Sequence, residues 1–305
     1  MSTPPAPPER PFPTGLAPCY RHPDRMTGIR CIRCERPICT DDMVPASVGF
    51  MCPDDVRAGQ RTQRQPRTTF GGRLADGGLS VTAVLVLLNA IVFALTVVTE
   101  PDSLFGGGAP DGPIYRYLAL QPTATYDLRT GGIVEGVAQG QYWRLITAMF
   151  VHFGLLHIVF NMFALVAFGA PLERALGRWR YAALYLVAGL GGSVASYTFG
   201  AVGERAAGAS GAIFGLIAGY FVVARKSRVD TSQLIPVLLL NAVLAFVLPS
   251  VDWRAHVGGL VAGALAAAAV AYAPRLRRTA VQVGGLAAIV VVEAVVTLLR
   301  TTALS

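Results

Sequence analysis

Two apolar stretches decide how this chain folds: GASGAIFGLIAG at residues 208–219 and AHVGGLVAG at residues 255–263. Each repeats glycine at every fourth position. Small residues at this interval give a helix a smooth face, along which a second membrane helix can approach closely. Ser210 opens the first stretch and His256 opens the second. Close packing of the two helices would therefore bring a hydroxyl within reach of an imidazole, as nucleophilic catalysis requires.

The composition is that of a membrane protein. Of 305 residues, 53% are hydrophobic and only 14% are charged, and the mean hydropathy is +0.50. Soluble domains average about 25% charged residues. The net charge of +8 would also suit a nucleic-acid-binding protein. However, the basic residues lie in short loops between apolar runs, without a basic face interleaved with aromatic residues, so we do not expect nucleic acid as a partner.

Seven segments are predicted to span the bilayer, which takes about 20 mostly apolar residues. They are residues 79–98, 145–169, 179–199, 206–224, 233–249, 254–273 and 281–299. The fourth is the weakest, because it opens with polar and small residues. The long connection 100–142 carries aromatic residues that favour a membrane interface. The predicted fold class is therefore an all-α polytopic membrane protein.

The placement of arginine predicts the orientation in the membrane. Basic residues cluster before the first span and in the loops after spans two, four and six. The positive-inside rule then puts the N-terminus in the cytosol and the C-terminus outside. Residues 1–18 are Pro-rich and polar, unlike a signal peptide, which agrees with a cytosolic N-terminus. We expect a multi-pass protein of the cell membrane, and the abundance of Ala, Gly and Arg suggests a bacterial source.

On this topology, five polar groups collect in the outer portions of spans two, four and six. Span two carries His152, His157 and Asn161, while Ser210 and His256 belong to the other two spans. Polar and ionisable groups in a bilayer are costly and mark candidate functional sites. Taken singly, the serine suits helix packing, and the histidines and the asparagine suit interhelical hydrogen bonds, metal ligation or proton relay. Together they offer a nucleophile, a base and oxyanion donors.

The chain resembles the rhomboid intramembrane serine proteases over about residues 79–273. The resemblance rests on several motifs in the order expected for that family. These are the Trp143-Arg144 pair, the His152, His157 and Asn161 pattern, the GASG box at 208–211, and the Ala255-His256 box with Gly259 and Gly263. The resemblance implies a rhomboid-like core of six helices, to which this chain adds one C-terminal transmembrane helix.

The resemblance also implies a role for each residue of the site. Ser210 would be the nucleophile and His256 the general base of a dyad without a third, acidic member. His157 and Asn161 would line the oxyanion hole together with the Ser210 backbone N–H. Supporting positions would be His152 at the helix mouth, Phe214 where the family often has tyrosine, and the glycines Gly208, Gly211 and Gly259. Substrates would be transmembrane proteins within the lipid, and catalysis would need no cofactor.

Two rival interpretations come from other functional classes. The first is a catalytically inactive rhomboid-like protein that binds membrane clients, which is disfavoured by the presence of both Ser210 and His256. The second is a transporter or channel that uses membrane histidines as a relay. It is disfavoured because the sequence has neither paired intramembrane carboxylates nor a visible inverted repeat.

The N-terminal segment carries ligand-type residues in four pairs, each with two intervening positions. The pairs are Cys19/His22, Cys31/Cys34, Cys39/Asp42 and Cys52/Asp55. This spacing presents two ligands on one turn, and zinc takes four tetrahedral ligands. A disulfide framework is disfavoured, since the cysteines number five and the predicted compartment is the reducing cytosol. The pattern predicts structural zinc without a catalytic part.

This segment resembles a B-box-like zinc finger, in which the first and third pairs share one ion and the second and fourth share another. Asp42 and Asp55 stand where cysteine or histidine is more common. Two zinc sites, or a single site made by Cys19, His22, Cys31 and Cys34, therefore both remain open. We expect a partner-binding or regulatory module, with a protein as its partner.

The predicted domain organisation follows from these segments. Residues 1–18 form a disordered Pro-rich N-terminus, 19–57 the zinc-binding module, 58–78 a linker, 79–273 the protease core, and 274–305 the extra helix. Glu293 in the last span is interpreted as a polar group between helices or at the interface, not as a catalytic residue.

Overall fold

The computed structural model describes residues 15–62, 67–72, 78–105, 111–127, 131–232 and 251–304. The chain divides into two compact units, Met1–Gln65 and Pro66–Ser305. The division falls inside the segment 58–78 that the sequence predicts as a linker. The first five residues of that segment are helical, because the helix that starts after the last cysteine continues to Thr62.

The N-terminal unit contains little regular structure. Strand β1 (Ala17–Pro18) pairs with β2 (Met26–Thr27), and β3 (Val44–Pro45) pairs with β4 (Phe50–Met51), both antiparallel. Helix α1 covers Pro53–Thr62. The buried cluster at its centre consists of only Cys31, Ile38 and Cys52. Units with so small a core usually depend on a metal or on disulfides for stability.

The C-terminal unit is a helical bundle with one small hairpin. The hairpin joins β5 (Thr125–Asp127) to β6 (Gly132–Val134). The helices among the described residues are α2 (Val81–Thr99), α3 (Pro113–Leu118), α4 (Arg144–Thr147), α5 (Gly154–Leu176), α6 (Arg178–Phe199), α7 (Ser210–Ser227), α8 (Trp253–Ala271) and α9 (Arg278–Leu304).

Five described helices are long and apolar enough to cross a membrane: α2, α5, α6, α8 and α9 with the turn before it. The fold class is thereby confirmed as an all-α polytopic membrane protein. Helix α7, which has 18 residues and carries Arg225 and Lys226 in its last turn, is not among the five. It lies inside the bundle, where every residue from Gly211 to Gly219 is buried. The predicted span 233–249 lies outside the described residues.

The predicted span 145–169 is wrong in its boundaries. Helix α4 ends at Thr147 and is followed by a short 3-10 turn at Ala148–Phe150, and α5 begins only at Gly154. Gly154 has a φ of +83°, a conformation that interrupts a helix and that glycine adopts readily. His152 therefore lies in the extended connection before α5, not on the helix that carries His157.

Helix α6 is the most buried of the five candidate spans. In its apolar 18-residue stretch, 61% of the residues are buried inside the protein. The side chains of Tyr181, Tyr185 and Tyr197 on this helix are fully buried. It packs against both α7 and α8. The sequence pattern predicts only that this helix crosses the membrane, whereas in the structure it lies at the centre of the bundle.

Glycines allow α6, α7 and α8 to touch through their backbones. A Cβ atom on Gly259 would overlap the carbonyl oxygen of Gly211, and a Cβ on Gly215 would lie 2.7 Å from the carbonyl oxygen of Gly259. On the third helix, a Cβ on Gly192 would lie 2.8 Å from the carbonyl oxygen of Ala255. The four-residue spacing read from the sequence thus corresponds to a real contact, here called the glycine seam, between α7 and α8.

A buried carboxylate joins α2 to α5. Both oxygens of Glu173 accept hydrogen bonds, from the backbone N–H of Val81 at 2.7 Å and from the backbone N–H and hydroxyl of Thr82 at 2.9 and 2.8 Å. These N–H groups belong to the first turn of α2, which has no intrahelical acceptors for them. The carboxylate therefore satisfies a helix end that would otherwise be buried without partners.

The C-terminal helix α9 is anchored to the core at both ends. The Gln282 side chain accepts a hydrogen bond from Arg180 Nε at 2.8 Å and donates to the carbonyl oxygens of Phe70 and Val270 at 3.2 and 2.9 Å. Near the other end of α9, Thr301 lies 3.0 Å from the hydroxyl of Tyr197, oxygen to oxygen. The helix that the sequence adds to the predicted core is therefore an integral part of the bundle.

We predict that Gly259→Ala lowers the free energy of unfolding by about 1–3 kcal/mol, the usual cost of overpacking. The added methyl group meets backbone, which cannot rotate away. Gly284→Ala is the matched control, because a Cβ there meets nothing within 4 Å and alanine favours the helix by about 1 kcal/mol. Thermal unfolding of the two variants in the same detergent checks the prediction. Equal stability of the two variants would contradict a tight glycine seam.

Candidate active site and metal-binding clusters

Ser210 and His256 form a hydrogen bond at one end of the glycine seam. Ser210 is the first residue of α7 and is half-buried, while His256 lies in the first turn of α8 and is 8% exposed. Ser210 Oγ lies 2.7 Å from His256 Nε2. The Phe214 ring stacks on the imidazole with ring centroids 4.1 Å apart and planes inclined by 13°. An aromatic face therefore holds the imidazole where it can accept a proton from the serine.

Asp252 positions α8, the helix that carries His256, and is not among the residues predicted from the sequence. Its side chain caps α8 by accepting hydrogen bonds from the backbone N–H groups of Arg254 and Ala255 at 3.1 and 3.3 Å. The same carboxylate accepts a hydrogen bond from the hydroxyl of Ser196 on α6. The signal was available, because aspartate directly before a helix is a preferred N-cap. Asp252 thus fixes the start of α8, four residues before His256.

His157 faces Ser210 across Gly208. The position that a Gly208 Cβ would take lies 3.0 Å from His157 Nε2 and 3.8 Å from Ser210 Oγ. His157 Nδ1 accepts a hydrogen bond from the backbone N–H of Phe153 at 3.2 Å. A neutral imidazole with its Nδ1 as acceptor carries its proton on Nε2, so the N–H lies on the nitrogen beside Gly208. Only glycine leaves room at position 208, where φ is +130°.

His152 supports the backbone that leads into Ser210. It is fully buried, and its Nε2 accepts a hydrogen bond from the backbone N–H of Ala209 at 3.4 Å. The N–H of Gly208 donates to the carbonyl oxygen of Ala148 at 2.9 Å. The rings of His152 and His157 meet edge to face, with centroids 5.0 Å apart. His152 thus lies just before α5 and contacts the backbone that leads into Ser210, and its supporting role stays a prediction.

Asn161 is buried one turn below His157 and is 7% exposed. Its side-chain amide donates to the backbone carbonyl oxygen of His157 at 2.9 Å. Among the described residues, the Asn161 side chain makes this one hydrogen bond. Its second amide hydrogen is left for another acceptor. The structure therefore brings Asn161 beside His157, and its hydrogen bond does not connect it to Ser210.

Trp143 and Arg144 hold the long connection between α2 and α5 together rather than touching the serine. The Arg144 side chain is fully buried and donates to the Gln141 side chain at 2.6 Å and to the carbonyl oxygen of Ala119 at 2.7 Å. Further along, Leu120 and Ala206 exchange backbone hydrogen bonds of 2.8 and 3.0 Å. This pairing attaches the connection to the segment that precedes Ser210.

The ligand-type residues of the N-terminal unit gather into two groups of four. One group is Cys19, His22, Cys39 and Asp42, and the other is Cys31, Cys34, Cys52 and Asp55; within each group the ligand atoms lie within 4.8 Å of one another. Pairs one and three thus meet, as do pairs two and four. The single site from Cys19, His22, Cys31 and Cys34 does not correspond to either group.

The separations within each group suit a tetrahedral ion. Zinc bonds of 2.0–2.3 Å imply ligand atoms about 3.3–3.8 Å apart. Cys34 Sγ lies 3.7 Å from Cys52 Sγ, and Cys39 Sγ lies 3.3 Å from His22 Nδ1. Hydrogen bonds from the Cys34, Cys31 and Cys52 thiols also hold the pKa of the Asp55 carboxyl below its usual range. The donor set therefore fits zinc.

Comparison with known proteins gives a consistent picture. The family described as the rhomboid domain matches residues 139–273. The chain is 31% identical to a protein named rhomboid protease GluP of Bacillus subtilis, over 68% of this chain and 38% of that protein. It is 38% identical to RHOMBOID-like protein 5 of Arabidopsis thaliana, over 50% of this chain and 52% of that one. Because plant relatives are included, the expected bacterial source stays a prediction.

A further relative has a length closer to the matched region. It is named putative rhomboid protease YdcA, of Bacillus subtilis, and is 38% identical over 43% of this chain and 68% of its own length. The matched domain includes His152, His157, Asn161, Ser210 and His256. In this bundle, glycines bring the helix of Ser210 and the helix of His256 together. With this geometry and this level of sequence identity to rhomboid proteins, the chain belongs to the rhomboid family.

Proposed function

We propose that this protein is an intramembrane serine endopeptidase that cleaves transmembrane proteins with a dyad of Ser210 and His256. The observation that carries the proposal is the hydrogen bond of 2.7 Å between Ser210 Oγ and His256 Nε2. A nucleophile and its base need this distance, about 2.6–3.2 Å. The relatives that are named proteases support the same reaction class for this chain.

In the proposed reaction, Ser210 Oγ attacks the carbonyl carbon of the scissile peptide bond while His256 Nε2 takes the hydroxyl proton. The tetrahedral intermediate then collapses, and His256 gives the proton to the leaving amine. Water next attacks the acyl-enzyme, with His256 again acting as the base, and releases Ser210. The stacked Phe214 ring would keep the imidazole aligned through these steps in place of a carboxylate.

The negative charge that develops on the carbonyl oxygen needs donors near Ser210. The Nε2–H of His157 is one candidate, because its Nδ1 is already occupied as an acceptor. The backbone N–H of Ser210 is another, since the first N–H groups of a helix have no intrahelical acceptor. The remaining hydrogen of the Asn161 amide is the third. Together they form the proposed oxyanion hole.

We propose the orientation that the arginines predict, with the N-terminus in the cytosol and Ser210 towards the outer face. Substrates would then be cleaved near the outer end of their transmembrane helices. The peptide must leave its helix to react, because a helical carbonyl is already hydrogen-bonded. Small or helix-breaking residues near the cleavage site would therefore favour cleavage. The inactive client-binding alternative differs in one testable respect: its client binding would not depend on the Ser210 hydroxyl.

We predict that Ser210→Ala abolishes cleavage of a single-span reporter protein in proteoliposomes and that His256→Ala is nearly as inactive. The double variant should be no worse than either single variant, because members of one catalytic unit act non-additively. Labelling by a fluorophosphonate probe should require both residues.

The matched control is Ser227→Ala, the same change at the exposed far end of the same helix. It should cleave and be labelled like the unmodified protein. Undiminished cleavage by purified Ser210→Ala would exclude the proposed nucleophile. A double variant much slower than both single variants would exclude the dyad.

We predict that Asn161→Ala lowers kcat by up to about 10²–10³, the scale for one oxyanion donor. Asn89→Ala is the matched control, because Asn89 is also buried and also donates to the carbonyl four residues earlier, at 2.7 Å. Both variants lose that bond and should lose similar stability, measured by thermal unfolding. Only Asn161→Ala should lose rate in the folded fraction. Equal kcat for the two variants would make Asn161 a structural residue.

We also propose that the N-terminal unit is a cross-braced structural zinc module of the B-box-like type, with two ions. The two groups of four ligand atoms support this stoichiometry, and the small core explains why the unit needs metal. Because arginines precede the first predicted span, the module would lie in the cytosol. Its surface would serve a protein partner, and zinc would have no part in hydrolysis.

We predict that the purified chain contains two zinc ions and that Cys31→Ser and Cys52→Ser each reduce the content to one, measured by atomic emission. The single-site alternative makes the opposite prediction for Cys52→Ser, which would leave its only ion in place. Fluorophosphonate labelling of Ser210 should be unchanged in both variants and in a chain lacking residues 1–57. Loss of labelling on chelation, in a protein that stays folded, would show that the two units act together.

A further inference from the structure

A cleft lined by arginines lies at the end of the bundle opposite Ser210. Its volume is about 500 Å³, and five guanidinium groups border it. They belong to Arg67, Arg180, Arg275, Arg277 and Arg278. Helix α6 gives its position, since Arg180 lies beside the cleft and Ser196 lies at the active-site end. Ser196 follows Arg180 by 16 positions, which corresponds to about 24 Å along the helix.

The cleft concentrates positive charge without a counter-charge. No carboxylate lines it, and within the described ranges none of its five arginines forms an ion pair. Arg67, Arg275 and Arg277 reach solvent at the rim of the cleft, whereas Arg180 is buried and Arg278 is half-buried. Two charges held inside a cavity favour a bound anion over a purely topological role.

Two of the arginines are held close together by the fold. Gly71, with a φ of +88°, forms one wall, and the position that its Cβ would take lies 3.1 Å from both Arg180 Nη2 and Arg278 Nη1. The two cationic groups therefore approach the same point. The two nitrogens lie at most about 6 Å apart, the sum of these two distances, and like charges so close repel unless an anion compensates them.

Arg180 is the buried base of the cleft. The residue is only 2% exposed, and its partners are uncharged: Nε donates to the Gln282 side chain at 2.8 Å, and the guanidinium lies over the Trp179 ring at 4.4 Å. Gln282 is itself held by the carbonyl oxygens of Phe70 and Val270. Arg180 is thus fixed in place by neutral groups, with its charge left for a ligand.

We propose that this cleft binds a phosphate group. Guanidinium groups recognise phosphate through paired, charge-assisted hydrogen bonds. Basic pockets between transmembrane helices are known to hold anionic lipid headgroups. The cleft joins the turn at residues 67–72 to α6 and α9. The phosphate would therefore clamp the C-terminal helix to the core, at a site separate from the peptidase chemistry.

The test measures ligand-dependent Tm of the full chain in a nonionic detergent at constant ionic strength. Three probes are titrated: short-chain phosphatidylglycerol, phosphatidylcholine of the same chain length, and inorganic phosphate. Saturable stabilisation by phosphatidylglycerol alone identifies a lipid headgroup. Saturable stabilisation by inorganic phosphate that is at least as strong identifies a soluble phosphate. Either outcome supports the site if the variants respond as follows.

Arg275→Gln/Arg278→Gln should raise the apparent Kd at least tenfold. The matched control, Arg225→Gln/Arg228→Gln, removes two charges from exposed positions at the same end of the bundle, outside the cleft, and should change Kd less than about twofold. If the first double variant does not fold by circular dichroism, the exposed Arg277→Gln replaces it. An equal loss in the cleft variant and in the control, or no saturable effect of any probe, would overturn the proposal.

Discussion

The backbone contact between α7 and α8 sets how close these two helices lie, and the arrangement of the site and of the neighbouring helices follows from that distance. Side chains at Gly215 or Gly259 would separate the helices, and the hydroxyl of Ser210 would then lose the imidazole of His256. The separation of the reacting groups is therefore set by backbone against backbone, without a flexible side chain between them. Helix α6 closes the third side with Gly192 against Ala255. The bundle has little freedom to adjust this distance.

The ends of the helices are held by a buried carboxylate, Glu173, by a half-buried one, Asp252, and by the long connection. The Glu173 side chain, on α5, accepts hydrogen bonds from the first turn of α2. Asp252 caps α8 and accepts a hydrogen bond from Ser196 on α6. Burying a carboxylate is costly unless it accepts several hydrogen bonds, and each of these accepts at least three. They fix helix starts rather than taking part in chemistry. Glu293, which lies in the last helix and is 6% exposed, has no such partner among the described residues.

The sequence predicted those features that depend on local periodicity. The four-residue spacing of the glycines predicted the contact of α7 with α8. The four pairs of ligand-type residues predicted the two groups of four in the N-terminal unit. The role of α6 was not predicted, although Ala188, Gly192 and Ser196 repeat at the same four-residue interval, because such spacing does not tell which helices will pack against that face. The start of α5 was missed because the positive φ of Gly154 leaves no trace in composition. Residue roles within the site stay predictions, although the geometry groups Ser210, His256 and Phe214 as expected.

The glycine seam has a second consequence, which concerns hydrogen atoms rather than missing methyl groups. Where a Cβ would meet a carbonyl oxygen, the glycine in fact directs a Cα–H bond at that oxygen. This geometry recurs from Gly259 to Gly211, from Gly215 to Gly259, and from Gly192 to Ala255. Each Cα–H···O contact contributes about 0.5–1 kcal/mol. Two of these weak hydrogen bonds join the helices that carry the serine and the histidine, the third joins α6 to the histidine helix, and the surrounding hydrocarbon does not compete for them.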